Sequence, residues 1–175
     1  MSDIKITSGI FRGRSIKSPD SKLTHPMGAR EKIALFNMIS DYLPGAKVLD
    51  AFAGSGALGI EALSRGASKV VLVEKNRQIA QIIKENLKNL DCKEQAEIET
   101  KDVKNFQTGE IFNLIIADPP YDKFSTTDLT NLPSLLADDG ILVLSHPKEA
   151  PEMTGLKLIK TKVYAGACLS VYVKI

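Results

Sequence analysis

AKVLDAFAGSGALGIEALSRGASKVVLVE, residues 46–74, contains an apolar run, a glycine-rich turn, a helical pattern that ends at Gly66, and a second apolar run. Short apolar runs bounded by glycine are typical of buried strands. A strand, a crossover helix and a second strand form a βαβ unit, in which the two strands are parallel. This stretch therefore predicts an α/β fold.

The alternation of strand and helix patterns continues beyond this unit. Strand-like runs lie at 96–102, 112–120 and 140–146, helical patterns at 29–43 and 76–90, an interrupted helical pattern at 128–140, and two strand-like runs in the tail. This order predicts a Rossmann-like, doubly wound, mostly parallel sheet of seven strands, with an antiparallel hairpin at one edge. A further small hairpin is predicted in the N-terminal extension. We expect a basic hairpin arm at 1–28 and the α/β domain at 29–175.

The totals describe an ordinary globular protein with a local excess of positive charge. The chain has 175 residues, of which 43% are hydrophobic and 25% charged, about the size of one domain. Residues 1–32 carry a net charge of +4, against +2 for the whole chain. A basic arm is typical of proteins that bind a polyanion, although a solvated arm has the same composition.

The isolated cysteines and histidines exclude two kinds of site. Cys92, Cys168, His25 and His146 lie far apart, without metal-ligand spacing, which argues against zinc chemistry and Cys–His catalysis. We expect no metal. No run of 18 apolar residues occurs and the N-terminus has no signal-peptide core, so we expect a cytoplasmic protein without a membrane segment.

The end of the first strand of the βαβ unit predicts a nucleoside cofactor. Gly54, Gly56 and Gly59 form a G-x-G-x-x-G pattern after Asp50, and Glu74 follows the next strand. Glycines let the backbone approach a ligand, and an acid at the second strand end is suited to ribose hydroxyls. The pattern fits a dinucleotide as well as S-adenosylmethionine. A carboxylate at Asp50 would repel a pyrophosphate but suits a cation, which favours S-adenosylmethionine.

The set of residues expected to bind the cofactor extends along four strand ends. It comprises Asp50, Phe52, Gly54, Ser55, Gly56, Glu74, Lys75, Asp102, Val103 and Asp118. Asp102 is the candidate acceptor for the adenine amine, and an exposed helix cap is the alternative role for it.

The stretch IIADPPYDKF, residues 115–124, predicts the site of chemistry. Pro119 and Pro120 have no N–H donors, so that hydrogen-bond acceptors remain at this strand end. Acceptors suit a substrate that donates, such as the exocyclic amine of a nucleobase. The Asp118 carboxylate and the Pro119 carbonyl would hold the amine while its lone pair points to a methyl group, and Tyr121 would stack on the base.

These motifs resemble those of class I S-adenosylmethionine-dependent methyltransferases with a D-P-P-Y sequence. The hairpin IKITSGIFRGRSIKSP, the stretch REKIALFNMI and the block AGSGALGIEALSRGA further resemble the RsmD family. The resemblance implies methylation of N2 of a guanine in small-subunit (16S) ribosomal RNA, on the RNA or on the assembling subunit. It names Asp118, Pro119, Pro120 and Tyr121 as catalytic.

Two stretches depart from the family's pattern. HPMGAR replaces the usual R-P-T-x-D-R, so only Pro26 and Arg30 match, and SHPKEAP stands where an acidic residue usually follows the strand. Arg12, Arg14, Arg30 and His25 are the candidates for RNA contact, the arginines through phosphates. The N-terminal arm is expected to hold RNA rather than stabilise the core.

Two other functions remain open at this point. An adenine or cytosine amine methyltransferase acting on DNA also uses D-P-P-Y, but such enzymes need a target-reading domain, for which only about 30 residues are spare. A non-catalytic nucleotide-binding module is the third possibility, and Asp50 and D-P-P-Y argue against it. We expect the protein to act as a monomer.

Overall fold

The computed structural model describes residues 2–19, 27–123, 125–164 and 166–175. Its helices and strands follow in the order β1 (Ser2–Lys5), β2 (Ser15–Ser18), α1 (Ala29–Met38), β3 (Lys47–Asp50), α2 (Ala57–Ser64), β4 (Lys69–Val73), α3 (Arg77–Asn89), β5 (Ala96–Glu99), β6 (Phe112–Ala117), β7 (Leu136–His146), β8 (Leu156–Tyr164) and β9 (Ala167–Lys174). Strands β1 and β2 form the predicted N-terminal hairpin, and they are antiparallel.

The seven remaining strands form the predicted sheet, in the order β5-β4-β3-β6-β7-β9-β8. Strands β3 to β7 are parallel to their neighbours among themselves, whereas β9 is antiparallel to both β7 and β8. The strand order reverses between β3 and β6, and such a switch point opens a crevice outside the carboxyl ends of the strands. We call the edge at which β3 to β7 end the carboxyl edge.

Alternation along the strands divides the core into two layers. The first layer packs against α1, α2 and α3 and includes Val48, Leu72, Ile116, Val143 and Val171. The second layer lies on the opposite face of the sheet and includes Leu49, Val71, Ile115, Leu142 and Tyr172. Both faces of the central strands are therefore buried, as expected for a doubly wound sheet.

The structure corrects the predicted helix at 128–140. Two 3₁₀ helices, Thr126–Leu129 and Leu132–Leu135, replace it, and β7 already begins at Leu136. Pro133 lies at the start of the second 3₁₀ helix, where its missing N–H removes no helical hydrogen bond. Leucines at 129, 132 and 135 are buried in the second layer. Apolar spacing alone thus suggested a longer helix than the chain forms.

The N-terminal hairpin is part of the core, so the expectation that it does not stabilise the core is wrong. Ile6, Phe11 and Ile16 are buried in the first layer. Beneath them lies Glu61 of α2, which is fully buried.

Glu61 joins the hairpin to α1 and α2. Its carboxylate accepts hydrogen bonds from the Thr7 hydroxyl at 2.7 Å and from the Thr7 and Ser8 N–H groups at 3.0 Å each. It also pairs with Lys32 of α1 at 3.2 Å and with Arg65 at 2.9 Å. Burial by itself would raise the pKa of Glu61, but the Thr7 hydrogen bonds and the Lys32 charge outweigh burial and lower it.

Candidate active site

A cavity of about 430 Å³ opens at the carboxyl edge, at the switch point of the sheet. This volume lies within the usual range of small-molecule sites, roughly 300–1,000 Å³. Segments that follow β3, β4, β5 and β6 line it, with residues that include Phe52, Gly54, Ser55, Glu74, Lys75, Asp102, Val103, Asp118, Pro119 and Pro120. The structure therefore brings together most of the residues that the sequence predicted as cofactor ligands.

The glycine-rich turn forms one wall of this cavity. Gly54 and Gly56 have φ values of 54° and 81°, a region that residues with a Cβ rarely adopt. Gly59 is needed for a different reason, because a Cβ there would lie 2.6 Å from Leu72 Cδ2 and 3.2 Å from Asp50 Oδ2. The turn thus allows α2 to begin directly against β4.

Asp50 lies behind this turn and is fully buried. Its Oδ2 accepts a hydrogen bond from the Gly59 N–H at 2.9 Å, while its Oδ1 has no partner among the described residues. Burial raises the pKa of Asp50 to about 7, and the negative charge of Asp118 also raises it. Asp50 does not line the cavity. It holds the first turn of α2 in place, and direct contact with a bound cation stays a prediction.

Glu74 lies on the cavity wall at the end of β4. Its Oε2 accepts a hydrogen bond from the Gly54 N–H at 3.0 Å, and its Oε1 accepts one from the Asn76 N–H at 2.8 Å. Burial raises the pKa of Glu74 in spite of these two hydrogen bonds. Each carboxylate oxygen has a further lone pair, so the residue can both fix the glycine turn and accept from a ligand.

Asp102 combines the two roles that the sequence left open for it. Its side chain caps the 3₁₀ helix Val103–Asn105 by accepting from the Lys104 N–H at 3.2 Å. Its other oxygen lies 3.8 Å from the Lys75 ammonium, and both residues line the cavity. Asn76 caps α3, as predicted, by accepting from the Gln78 N–H at 2.9 Å.

The D-P-P-Y segment closes the opposite wall. Asp118 follows β6 directly, and it lines the cavity together with Pro119 and Pro120. In the described part of the chain, no backbone N–H donates a hydrogen bond to the Asp118 carboxylate. Burial raises the pKa of Asp118 to about 6, while the Ser145 hydroxyl has a smaller, opposite effect.

Tyr121 lies beyond the cavity, where the segment turns away from the sheet. Its hydroxyl forms a hydrogen bond with the Ser145 hydroxyl near the end of β7. Burial raises the pKa of Tyr121. The ring is therefore held beside the cavity rather than inside it, next to Asp118.

Comparison with known proteins identifies the family. A family model described as Conserved hypothetical protein 95 matches residues 4–173. The "Putative rRNA methyltransferase YlbH" of Bacillus subtilis (strain 168) is 34% identical to this chain, covering 98% of the chain and 99% of the relative. The "Ribosomal RNA small subunit methyltransferase D" of Escherichia coli (strain K12) is 37% identical, covering 79% of the chain and 69% of the relative. This chain belongs to the RsmD family.

A solved structure supports the same assignment. The "Putative methyltransferase yhhF from Escherichia coli" has a TM-score of 0.88 and 30% identity to this chain, covering 99% of the chain and 98% of that structure. The predicted fold, a doubly wound seven-stranded sheet with an N-terminal hairpin, is thereby confirmed.

In this RsmD-family chain the predicted RNA contacts are scattered. Arg14 donates a hydrogen bond to the Asn89 carbonyl and lies over the Phe11 ring, while Ile10, near Arg12, donates to the Ser64 carbonyl. Ser64 and Asn89 end α2 and α3, which places this end of the hairpin far from the carboxyl edge. Arg30 is exposed at the start of α1, and His25 lies outside the described residues. Their roles in RNA binding stay predictions.

Sequence reasoning missed several residues of this RsmD-family site. Ile4, Met27 and Lys32, from the segment predicted as a separate arm or next to it, line the cavity. Lys32 is 4% exposed and donates to the Lys5 carbonyl at 2.8 Å. A buried lysine has no local sequence signal, because its partner Glu61 lies 29 residues further along the chain. Ser145 was noted as a strand end, but its contact with Tyr121 was not foreseen.

The isolated histidine and cysteines of this RsmD-family chain lie inside the protein. His146 is fully buried and its Nε2 pairs with the Ser170 hydroxyl at 2.8 Å, while burial lowers its pKa. Cys92 and Cys168 are free and buried. Within the described residues, no group of three or more His, Cys, Asp or Glu side chains could hold a metal ion. None of the helices described is long and apolar enough to cross a membrane.

Proposed function

We propose that this protein transfers the methyl group of S-adenosylmethionine to N2, the exocyclic amine, of a guanine in 16S ribosomal RNA during assembly of the small subunit. One observation supports this proposal above all. Asp118 and Pro119 line the same cavity as Gly54 and Glu74, so that acceptors suited to an amine lie beside a nucleoside site. The names of the relatives in the RsmD family agree with a ribosomal RNA substrate.

The residues around the cavity fit S-adenosylmethionine. Glu74 retains lone pairs for the two ribose hydroxyls, and Asp102 is an acceptor for the adenine amine. Phe52 and the buried Val103 offer apolar contacts to the adenine ring. When bound, the cofactor supplies a methyl group on a sulfonium, an electrophile that needs no further activation.

Asp118 and Pro119 act on the amine. The amine lone pair is delocalised into the base, which makes the nitrogen a poor nucleophile. Hydrogen bonds from its two N–H groups to the Asp118 carboxylate and the Pro119 carbonyl draw the nitrogen toward tetrahedral geometry and free the lone pair. Positioning and preorganised charge of this kind account for much of enzymatic rate enhancement.

Asp118 also stabilises the charge that forms. As the new N–C bond forms, the amine nitrogen becomes positive and must lose one proton. A carboxylate in van der Waals contact with that nitrogen is the nearest negative charge, and its raised pKa of about 6 makes it a stronger base than an ordinary aspartate.

Tyr121 positions the base. Its ring lies next to Asp118 in the chain, and aromatic rings bind unpaired bases by stacking. The Ser145 hydroxyl holds the Tyr121 hydroxyl, which limits rotation of the ring. A base on this ring would present its amine to Asp118.

Methyl transfer from tritiated S-adenosylmethionine tests the proposal. Naked 16S ribosomal RNA, assembling small subunits and duplex DNA are compared, and nucleosides from the labelled product are separated by chromatography and mass spectrometry. We expect N2-methylguanosine from RNA, and no label with Asp118→Ala. Label in duplex DNA alone would instead identify a DNA amine methyltransferase. Calorimetric binding of NAD, with none of S-adenosylmethionine, would identify a nucleotide-binding module.

A further inference from the structure

The C-terminal hairpin carries an excess of positive charge equal to that of the N-terminal segment. Residues 156–175 contain four lysines and no acidic side chain, a net charge of +4. Residues 33–155 contain 12 basic and 18 acidic side chains, a net charge of −6. The positive charge of this chain is therefore concentrated at its two ends, with an acidic body between them.

Three of these lysines lie on one face of β8. Lys157, Lys160 and Lys162 are directly opposite Val173, Val171 and Leu169 of β9. Residues directly opposite in an antiparallel pair share a face, and the β9 residues belong to the layer that packs against α1. A register shift between Leu158 and Lys160 keeps Lys157 on the same face as the other two. We call these three residues the lysine stripe.

The lysine stripe is accessible to a partner. Strand β8 is the outermost strand of the sheet, and every residue from Lys157 to Val163 is exposed. No carboxylate in the described segments pairs with any lysine of the stripe. Other lysines of the two basic ends are occupied, since Lys32 pairs with Glu61 at 3.2 Å, Lys17 with Glu85 at 3.5 Å and Lys174 with Asp138 at 3.0 Å.

The stripe leads to the candidate active site. Lys162 is in register with Leu169, and Leu169 is in register with Ser145 of β7. Two strand spacings of about 4.8 Å place the Cα atoms of Lys162 and Ser145 about 10 Å apart. Ser145 in turn contacts Tyr121, the proposed stacking platform. The stripe then runs away from this point in steps of about 7 Å between Lys162 and Lys160.

We infer that the lysine stripe binds backbone phosphates of the RNA that carries the target nucleotide. This inference rests on the proposed function, since it assumes that the base lies on Tyr121. Lysines on an edge strand also prevent edge-to-edge aggregation, but that role does not require them to share a face or to lead to the active site. Single-face alignment, absence of nearby acids and register with Ser145 together point to a polyanion that enters beside Tyr121.

The test replaces the three lysines of the stripe with glutamine. A matched control replaces Lys84, Lys88 and Lys93, which are exposed on α3 or just after it, at the opposite end of the sheet. Both variants lose three positive charges. Binding to a naked 16S ribosomal RNA fragment is measured by fluorescence anisotropy between 50 and 200 mM salt, together with S-adenosylmethionine affinity and methyl-transfer kinetics.

We expect the stripe variant to bind RNA at least tenfold more weakly than the control variant. Loss of three phosphate contacts should reduce the slope of log K against log salt by about 2, at about 0.7 per contact for single-stranded RNA. KM for RNA should rise while kcat and cofactor affinity stay unchanged. Replacement of the three lysines with arginine should restore binding, and Lys162→Gln alone should give about a third of the change in slope.

Equal RNA affinity and equal salt slopes in the stripe and control variants would overturn the inference, even if the stripe variant aggregates. That outcome would assign the lysines to edge protection alone. Methylation of the RNA by the wild-type protein in the same experiment would show that the proposed function survives. Failure of the wild-type protein to bind or methylate any RNA would overturn both.

Discussion

The carboxylates at the ends of β3 and β4 differ from the carboxylate at the end of β6 in what surrounds them. Asp50 and Glu74 accept hydrogen bonds from the N–H groups of Gly59, Gly54 and Asn76. Asp118 is followed by two prolines, which have no N–H to donate. The first two carboxylates therefore help to build the cavity wall, whereas the third keeps its oxygens for a ligand. Replacing them should separate binding from chemistry.

Asp118→Ala should have the largest effect on methyl transfer. Loss of one preorganised electrostatic partner lowers kcat about a hundred- to a thousandfold, and cofactor binding should remain nearly intact. Asp118→Asn should fall between Ala and wild type, because its amide oxygen still accepts but cannot balance the positive amine. Single-turnover kinetics measures the effect. Asp122→Ala, four residues further on, removes an exposed acid and is the matched control. Wild-type turnover by Asp118→Ala would show that D-P-P-Y does not hold the amine.

Replacing Tyr121 should test whether its ring or its hydroxyl matters. Stacking contributes about 1–3 kcal/mol per base, so Tyr121→Ala should lower kcat/KM by roughly 5- to 150-fold. Tyr121→Phe keeps the ring and should lower kcat/KM only a few-fold, and Ser145→Ala should match it. The double variant should be no worse than either single one, because both remove one hydrogen bond. A severe loss from Tyr121→Phe would give the hydroxyl a role in the chemistry.

Glu74→Ala should weaken S-adenosylmethionine binding at least tenfold, which corresponds to about 1.4 kcal/mol. The variant loses the acceptor for the ribose and also leaves the Gly54 N–H without its partner. Lys75→Ala, next to it on the cavity wall, should change the affinity less than threefold because its side chain is 65% exposed. Calorimetry measures both. Unchanged affinity in Glu74→Ala would remove Glu74 from the cofactor site.

The pH dependence of kcat should reflect Asp118. Its pKa is raised to about 6, and the ionised form is the one that accepts from the amine. Activity should therefore fall about tenfold for each pH unit below 6 and should level off above it. Asp118→Asn should lack this limb of the profile. A wild-type profile that is flat between pH 5 and 8 would contradict the role of the carboxylate.

The pH dependence of stability should reflect Asp50. Because burial raises its folded-state pKa from 3.8 to about 7, the folded protein holds a proton that the unfolded chain has already lost within this window. The free energy of unfolding should therefore fall as pH rises from about 4 to 7, and be lowest above 7. Asp50→Asn, which can still accept from Gly59, should flatten this decline in urea denaturation curves. An equal decline in the variant would mean that Asp50 is already ionised throughout.

The sequence predicted the elements whose signals are local. The seven strands, α2, α3 with its Asn76 cap and the residues at four strand ends were all readable, because period and strand ends determine them. The two 3₁₀ helices at 126–135 were not, since leucine spacing there is the same for a helix and for turns that bury the same side chains. The place of the hairpin and of Lys32 depends on Glu61, and the hold on Tyr121 depends on Ser145. Such partners lie 24 to 54 residues away, beyond any local pattern.

The contact between the hairpin and Glu61 has a consequence for biosynthesis. Thr7 and Glu61 are separated by 54 residues, and Arg14 and Asn89 by 75. At about 5–20 residues per second, the ribosome needs roughly 3–11 seconds to add the residues between Thr7 and Glu61. During that interval Ile6, Phe11 and Ile16 have no surface to pack against, so the nascent chain presents them to chaperones. The segment translated before α2 is thus completed only after α2 and α3 have left the exit tunnel, and a translational pause before residue 90 would prolong its exposure.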